Sequence, residues 1–305
     1  MRAVSARLGF RRSEEMGGDG IWEAPSAEKA VYYAMAMGME ETKMRKWTRG
    51  CLALLVTAGL LGACGNAADT SKQEPVTILA AAAASLKYSF DEELIPMFQD
   101  RYPWITVEGT YDSSGKLQTQ IEEGMEADVF MSAAMKQMQD LEAGGYVDEA
   151  DEVKLLENKI VLILPEGADS GIVSFEDIVK ADTIALGDPE SVPVGQYAQE
   201  ALTNLNLWDE VTPKTSFGTN VTEVLNWVAE GSADAGIVYA TDAATTHQVR
   251  VVAEAPADSL EEPVIYPVAV VKNSAHREAA ELFVEFLQSE EAMKVFEDYG
   301  FSPAE

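Results

Sequence analysis

The chain has 305 residues, of which 52 are Asp or Glu and 22 are Lys or Arg, so its formal net charge at pH 7 is −30. This charge excludes nucleic acid as a partner, because binding to a phosphate backbone depends on a basic face. Two cysteines and two histidines are too few for a disulfide framework or a zinc site built on them. A hydrophobic content of 47% is enough for packed cores, and the length suggests about two domains.

The first predicted element is an export signal. Basic residues between positions 45 and 49 precede an apolar stretch at 51–61, which is too short to span a bilayer. The stretch ends in Leu61-Gly-Ala-Cys64, which resembles the lipobox of bacterial lipoproteins. We therefore expect a signal peptide at 44–63, a lipid anchor on Cys64, and a flexible polar tether through residue 74. The alternative is an ordinary cleavage site beside an unmodified cysteine.

Residues 1–43 precede this complete signal peptide. We expect Met44 to be the true start and 1–43 to be a mis-assigned upstream extension. The string Ser26-Ala-Glu-Lys29 has the S-x-x-K spacing of some serine hydrolases, but it lies in this segment and carries no functional weight.

Strand-like and helix-like segments alternate from residue 76 onward. Short apolar runs typical of strands begin near positions 76, 105, 128, 160, 183, 235, 249 and 264. Segments with helical periodicity separate most of them, and two amphipathic helices close the chain. This alternation predicts α/β layers with largely parallel sheets.

Four turns between a strand and a helix carry hydroxyl groups or small residues. They are Ala83-Ala-Ser85, Asp112-Ser-Ser-Gly115, Val192-Pro-Val-Gly195 and Gly218-Thr-Asn-Val221. A helix N-terminus presents free N–H groups and the positive end of the helix dipole, so each turn is a potential anion site. One such turn is usually only a helix cap, but four at the carboxyl ends of strands could converge on one crevice.

Six segments in order resemble the molybdate-binding proteins of bacterial ABC transporters, and the similarity runs from about 76 to 301. They are Ala83-Ala-Ser-Leu86, Asp112-Ser-Ser-Gly-Lys-Leu117, Ala127-Asp-Val-Phe-Met-Ser-Ala133, Gly187-Asp-Pro-Glu-Ser-Val-Pro-Val-Gly-Gln-Tyr-Ala198, Gly236-Ile-Val-Tyr-Ala-Thr-Asp242 and Tyr266-Pro-Val-Ala-Val-Val271. The fourth and fifth are the most specific.

The resemblance implies an α/β fold of the periplasmic-binding-protein type II class. Such a fold has two lobes, each a mixed, mostly parallel sheet flanked by helices, with a two-stranded hinge and a ligand cleft between the lobes. We expect lobe I at 75–157 plus 272–305 and lobe II at 158–271. The chain should cross between them near 158–161 and again near 266–271.

The resemblance also implies the ligand contacts. They fall on Ser85, Ser114, Val194, Val221 and Tyr239. The serines would donate from hydroxyl and backbone groups, the valines from backbone N–H, and the tyrosine from its phenol. Valine at 194 departs from the alanine of some family members, and Gly115-Lys116 departs from serine-rich versions. Lys87 and Lys116 are expected to be solvated, although either could reach the anion.

The function that the resemblance implies is capture of molybdate, and of tungstate as well, for an ABC permease and its ATPase. The protein would be a lipid-anchored extracytoplasmic monomer without a cofactor, with molybdenum bound only as the oxyanion. A tungstate-selective, sulfate or phosphate receptor remains an alternative, as do an exported serine hydrolase and an adhesive lipoprotein. The hydrolase is disfavoured because the chain has no G-x-S-x-G string and because His247 and His276 show no orienting partner.

Overall fold

The computed structural model describes residues 74–304. The upstream extension, the signal peptide, the lipid-bearing Cys64 and the tether up to residue 73, all expected from the sequence, lie outside these residues. Among the described helices, none combines the length and apolar character needed to cross a membrane.

The described chain alternates strands and helices, as the hydrophobic pattern predicted. The strands are β1 Val76–Ala83, β2 Ile105–Asp112, β3 Val129–Met131, β4 Val153–Asn158, β5 Ile160–Pro165, β6 Ile184–Gly187, β7 Thr215–Gly218, β8 Ala235–Tyr239, β9 Val249–Glu254, β10 Val264–Val270 and β11 Ser302–Pro303. The helices are α1 84–101, α2 Ser114–Glu122, α3 Met135–Ala143, α4 Pro193–Asn204, α5 Trp208–Val211, α6 Val221–Ala229, α7 Ala240–Ala244, α8 Arg277–Leu287 and α9 Glu290–Asp298, with 3₁₀ turns at Glu149–Asp151, Glu176–Lys180 and Thr212–Lys214. Helix α1 begins as a 3₁₀ turn at Ala84–Leu86 and widens into a π-type turn at Phe90–Leu94.

The strands form two mixed sheets, which confirms the predicted α/β class. The first sheet has the order β11-β4-β10-β3-β1-β2 and the second has the order β7-β6-β8-β5-β9. Strand β1 is parallel to β2 and β3, and β6 is parallel to β7 and β8. The other pairs are antiparallel. Parallel pairing therefore does not predominate, because the strands that carry the chain between the sheets run against their neighbours.

The sequence predicted one of the two crossings between the sheets correctly and the other incorrectly. The chain passes from β4 to β5 through Lys159, where the first crossing was expected. It returns through 255–263, so the expected second crossing at 266–271 and the assignment of this segment to lobe II are wrong. Strand β10 pairs with β3 and β4 in the first sheet. A continuous apolar strand is compatible with either sheet, so the sequence pattern does not choose between them.

We call the first sheet with its flanking helices (75–158 and 264–304) the first lobe, and 160–254 the second lobe. Alternate residues of β1 face opposite sides of the first sheet. Ala80 and Ala82 lie in the core that contains Phe98 and Phe283, whose ring centroids are 5.0 Å apart. Ala81 lies in a second core beneath α2 and α3. The small β1 side chains therefore accommodate helices on both faces, and α1 and α2 begin at the same edge of the sheet.

Candidate functional site

One small cavity lies where the two lobes meet, at the carboxyl ends of the parallel strands. The segments that follow β1, β2 and β3 line it from the first lobe, and the segments that follow β6 and β7, together with the last residue of β8, line it from the second. The four turns that the sequence singled out converge here. About 10 Å³ is open to the centre of a water-sized sphere, which is room for about one water molecule. The lobes are therefore closed upon each other.

All five residues that the resemblance predicted as ligand contacts line this cavity. They are Ser85, Ser114, Val194, Val221 and Tyr239. All but Ser85, which is partly exposed, are almost completely buried. The structure thus brings together groups from both lobes that are far apart in the sequence. Their contact with an oxyanion stays a prediction.

Two helices reach the cavity without a side-chain cap. Ser113 precedes α2 and Val192 precedes α4, and neither side chain accepts a hydrogen bond from the helix. Ser114 and Val194 occupy the first and second positions of these helices, where a backbone N–H cannot find an intrahelical acceptor. These N–H groups are consequently suited to an external anion.

The third helix, α6, has a side-chain cap that does not bond the N–H of its first residue. The Asn220 side chain accepts a hydrogen bond from the N–H of Glu223 at 3.0 Å, and the Glu223 carboxylate accepts one from the N–H of Thr219 at 2.7 Å. This reciprocal arrangement resembles a capping box. It leaves the N–H of Val221, at the first helical position, without an intrahelical acceptor.

Ala133 joins two of the predicted ligand residues across the cleft. Its N–H donates to Ser114 Oγ at 3.0 Å, and its carbonyl accepts from the Tyr239 hydroxyl at 3.2 Å. The Ser114 proton is left for another acceptor, whereas the Tyr239 proton must turn away from Ala133 to reach an anion. Burial raises the pKa of Tyr239 well above its ordinary value, so this phenol is a neutral donor.

Ser113 is a cavity residue that sequence reasoning missed. It lines the cavity, is 3% exposed, and its Oγ has no hydrogen-bond partner within residues 74–304. The serine pair at 113–114 was visible in the sequence, but only the folded turn shows that both side chains are buried here.

The nearby lysines pair with carboxylates instead of lining the cavity. Lys116 Nζ lies 3.2 Å from Asp112 Oδ1, and Lys87 Nζ lies 3.2 Å from Asp91 Oδ2. Asp112 lines the cavity, but its Oδ1 also accepts from Ser113 N–H at 2.8 Å and from Asn220 Nδ2 at 3.3 Å. Its negative charge is thereby compensated. The described lining offers neutral donors and no lysine or arginine.

Gly115 allows the lobes to approach closely. Its N–H donates to the carbonyl of Ser191 in the second lobe at 3.0 Å. A Cβ at position 115 would lie 2.4 Å from that oxygen and 2.8 Å from the Ser191 Cα, which is closer than real contacts allow. The glycine that departs from the family pattern therefore fits a backbone-to-backbone contact between the lobes.

Within the described residues, two groupings of serine with histidine or lysine do not form a hydrolytic centre. His276 Nδ1 lies 3.4 Å from Asp128 Oδ1, a partner that the sequence did not reveal, but Ser274 donates to the same oxygen at 2.6 Å instead of to the histidine. The S-x-x-K spacing recurs at 113–116, which sequence analysis overlooked. There Lys116 Nζ bonds Asp112 and not the serine. No nucleophile in these two groups contacts a base.

Asp242 is a buried carboxyl group behind the tyrosines of the site. It is 6% exposed, and its Oδ2 has no partner in the described part of the chain. Burial raises its pKa to about 8, against backbone hydrogen bonds that lower it. The group is therefore mostly protonated at neutral pH, so it adds little negative charge beside the cavity.

Comparisons with known proteins all match this chain to solute-binding proteins. The family described as bacterial extracellular solute-binding protein matches residues 78–302. The "Putative ABC transporter substrate-binding lipoprotein YvgL" of Bacillus subtilis is 43% identical over 249 residues, which cover 81% of this chain and 95% of the relative. The molybdate-binding protein ModA of Haemophilus influenzae is 38% identical over 267 residues, which cover 85% of this chain and 99% of the relative. Among solved structures, the periplasmic molybdate-binding protein of Azotobacter vinelandii has a TM-score of 0.65 at 23% identity, covering 75% of this chain and all of that one, a likeness of fold.

Substitution of Asp242 by Asn should change the pH dependence of stability. The pKa of about 8 in the folded protein exceeds the ordinary 3.8, so the folded state keeps a proton that the unfolded state releases between these values. The free energy of unfolding should be highest near the acidic end of this window and fall as the pH rises to about 8. Asp242→Asn should lack this fall, which amounts to about 1.4 kcal/mol per pH unit for one proton.

Urea unfolding of both proteins at several pH values between about 5 and 8 measures the difference. Glu152, whose pKa is raised to about 7 by burial and by a hydrogen bond with Glu142, is present in both proteins and cancels. Parallel stability curves would contradict a protonated Asp242.

Proposed function

The chain belongs to the family of bacterial extracellular solute-binding proteins, and we propose that it captures molybdate, and tungstate as well, for an ABC transporter. The observation that carries this proposal is the convergence of neutral donors from Ser85, Ser114, Val194, Val221 and Tyr239 on one cavity between the lobes. The relatives named for molybdate supply the choice of anion. The proposed role is binding and delivery, not catalysis.

The donor set suits a fully deprotonated tetrahedral oxyanion. A dianion that enters a closed cleft loses its hydration shell, so the protein must replace those hydrogen bonds. Hydroxyls and helix N-terminal N–H groups do this without a counter-charge, and each bond to a charged oxygen contributes roughly 1.5–3 kcal/mol. Ser113 Oγ is a further donor in the same cavity. Because sulfate has the same charge and shape as molybdate, discrimination between them depends on the size of the cavity.

The remaining parts of the proposal concern location and partners. We propose that Cys64 carries a lipid that anchors the receptor to the outer face of the cell membrane; the name of the Bacillus subtilis relative calls that protein a lipoprotein. A monomeric receptor would then deliver its anion to the permease, which the ATPase drives.

Ser114→Ala and Tyr239→Phe should each weaken oxyanion binding. Each removes one donor, so a ligand oxygen is left without a full set of hydrogen bonds. We expect a loss of about 1.5–3 kcal/mol apiece, roughly ten- to 150-fold in Kd. Isothermal titration of the wild-type protein with molybdate, tungstate, sulfate and phosphate gives the reference affinities.

Two variants outside the cavity serve as controls. Ser289→Ala removes a hydroxyl that caps α9, and Tyr146→Phe removes a phenol that donates to Glu122 in the first lobe. Both should bind as tightly as the wild-type protein. The proposed site is wrong if Ser114→Ala and Tyr239→Phe also retain full affinity, and the proposed function is wrong if the wild-type protein binds none of the four anions.

Cys64→Ser should abolish lipid attachment, because only a thiol can form the thioether. The variant should partition into the aqueous phase of a detergent extraction or keep its signal peptide. Mass spectrometry of the protein from membranes identifies the processed N-terminus. Membrane retention of a variant that is cleaved before residue 64 would contradict the lipid anchor.

A further inference from the structure

A chain of hydrogen bonds leads from the first interlobe crossing to the cavity. Asn158 is the last residue of β4, and its Nδ2 donates to Thr241 Oγ1 at 2.9 Å and to the Tyr266 hydroxyl oxygen at 3.2 Å. That hydroxyl lies 3.0 Å from Ser85 Oγ. Asn158 is 5% exposed and Tyr266 is fully buried. These hydrogen bonds thus connect the first crossing with Thr241 of the second lobe and with Ser85, which lines the cavity.

The direction of these hydrogen bonds follows from the Asn158 amide. Its Oδ1 accepts the N–H of Lys159 at 2.8 Å, so rotating the amide would place two donors against each other. Asn158 Nδ2 is therefore the group that faces Tyr266, and the tyrosine oxygen accepts from it. A phenol has one proton. Because Asn158 already donates to this oxygen, we assign the phenolic proton to Ser85 Oγ, which lies 3.0 Å away.

The consequence for Ser85 is a free proton. Since its oxygen accepts from Tyr266, its own O–H does not bond the tyrosine and is left for an acceptor in the cavity. Burial raises the pKa of Tyr266 well above its ordinary value, so the tyrosine keeps its proton throughout the neutral range. Ala133 N–H acts in the same way on Ser114.

We propose that Asn158 and Tyr266 are positioning residues that hold Ser85 in the donor role and thereby favour oxyanions without a proton. This proposal rests on the proposed function of the cavity. Neither residue lines the cavity; both act through Ser85. These hydrogen bonds would also link the orientation of the Ser85 hydroxyl to the first crossing between the lobes, because Asn158 lies at that crossing.

Asn158→Asp should reverse the direction of the hydrogen bonds that run from residue 158 through Tyr266 to Ser85. A carboxylate oxygen facing Tyr266 accepts the phenolic proton, so the tyrosine oxygen must accept from Ser85 instead. Ser85 then presents lone pairs to the cavity, where they repel a deprotonated oxyanion but accept a hydrogen bond from hydrogen phosphate. We expect molybdate to bind at least about tenfold more weakly. The Kd ratio of hydrogen phosphate to molybdate should fall by a similar factor.

Hydrogen phosphate and molybdate are compared at about pH 8, where both are dianions. The charge that Asn158→Asp introduces therefore weakens both, and their affinity ratio isolates the hydrogen-bond direction. Thr241→Val is the matched control, because it removes the other acceptor of Asn158 Nδ2 and leaves Tyr266 and Ser85 intact. It should keep the wild-type ratio.

The decisive variant is Asn158→Asp combined with Tyr266→Phe. Without the phenol, Ser85 has no oxygen to which its proton is drawn, so the double variant should bind molybdate more tightly than Asn158→Asp alone. Thermal melts without ligand check that each variant is folded, and calorimetry gives the Kd values. An unchanged ratio in Asn158→Asp, or a double variant that binds molybdate no more tightly than Asn158→Asp alone, would overturn the proposed hydrogen-bond chain. A wild-type protein that binds neither anion would refute the proposed function itself, and with it the role proposed for Asn158 and Tyr266.

Discussion

A dianion that leaves water must regain its hydrogen bonds inside the protein, and the site that we propose for such an anion is built to meet this requirement. Strands β1, β2 and β3 of one sheet and β6, β7 and β8 of the other end at the same cavity. Parallel strands followed by helices bring helix N-termini to one edge. The cavity therefore gathers N–H groups from both lobes that the helices themselves cannot satisfy. A donor-rich closed space is a consequence of the topology, and the serines and tyrosine complete it.

Electrostatic neutrality at the cavity contrasts with the charge of the whole chain, which is −30. Asp112 would repel an anion, but Lys116 and two further donors compensate it. Asp242 is mostly neutral because burial raises its pKa to about 8. A single fixed cation would attract phosphate, sulfate and molybdate alike. Oriented neutral donors, by contrast, favour anions that carry no proton over anions that carry one.

Local sequence patterns predicted much of the fold and the four turns that meet at the site. Ser85, Ser114, Val194 and Val221 lie in these turns between strand and helix, and the resemblance supplied all four of them, together with Tyr239, as predicted ligand contacts. Long-range facts were missed. Strand β10 lies in the first sheet, and Tyr266 on it reaches Ser85 across 181 positions of the chain. The bond from Tyr239 to Ala133 and the buried Ser113 hydroxyl depend on lobe packing, which no local pattern encodes.

The most direct test of a site built from neutral donors is the salt dependence of the association rate. The acidic surface repels an incoming dianion over a distance that shrinks as the Debye length falls from about 30 Å at 0.01 M salt to about 10 Å at 0.1 M. Contacts inside the closed cavity are screened far less. Stopped-flow binding of molybdate at increasing sodium chloride should therefore show faster association and nearly constant dissociation. An association rate that falls steeply with salt would contradict the account, because it would mean that cationic attraction governs capture.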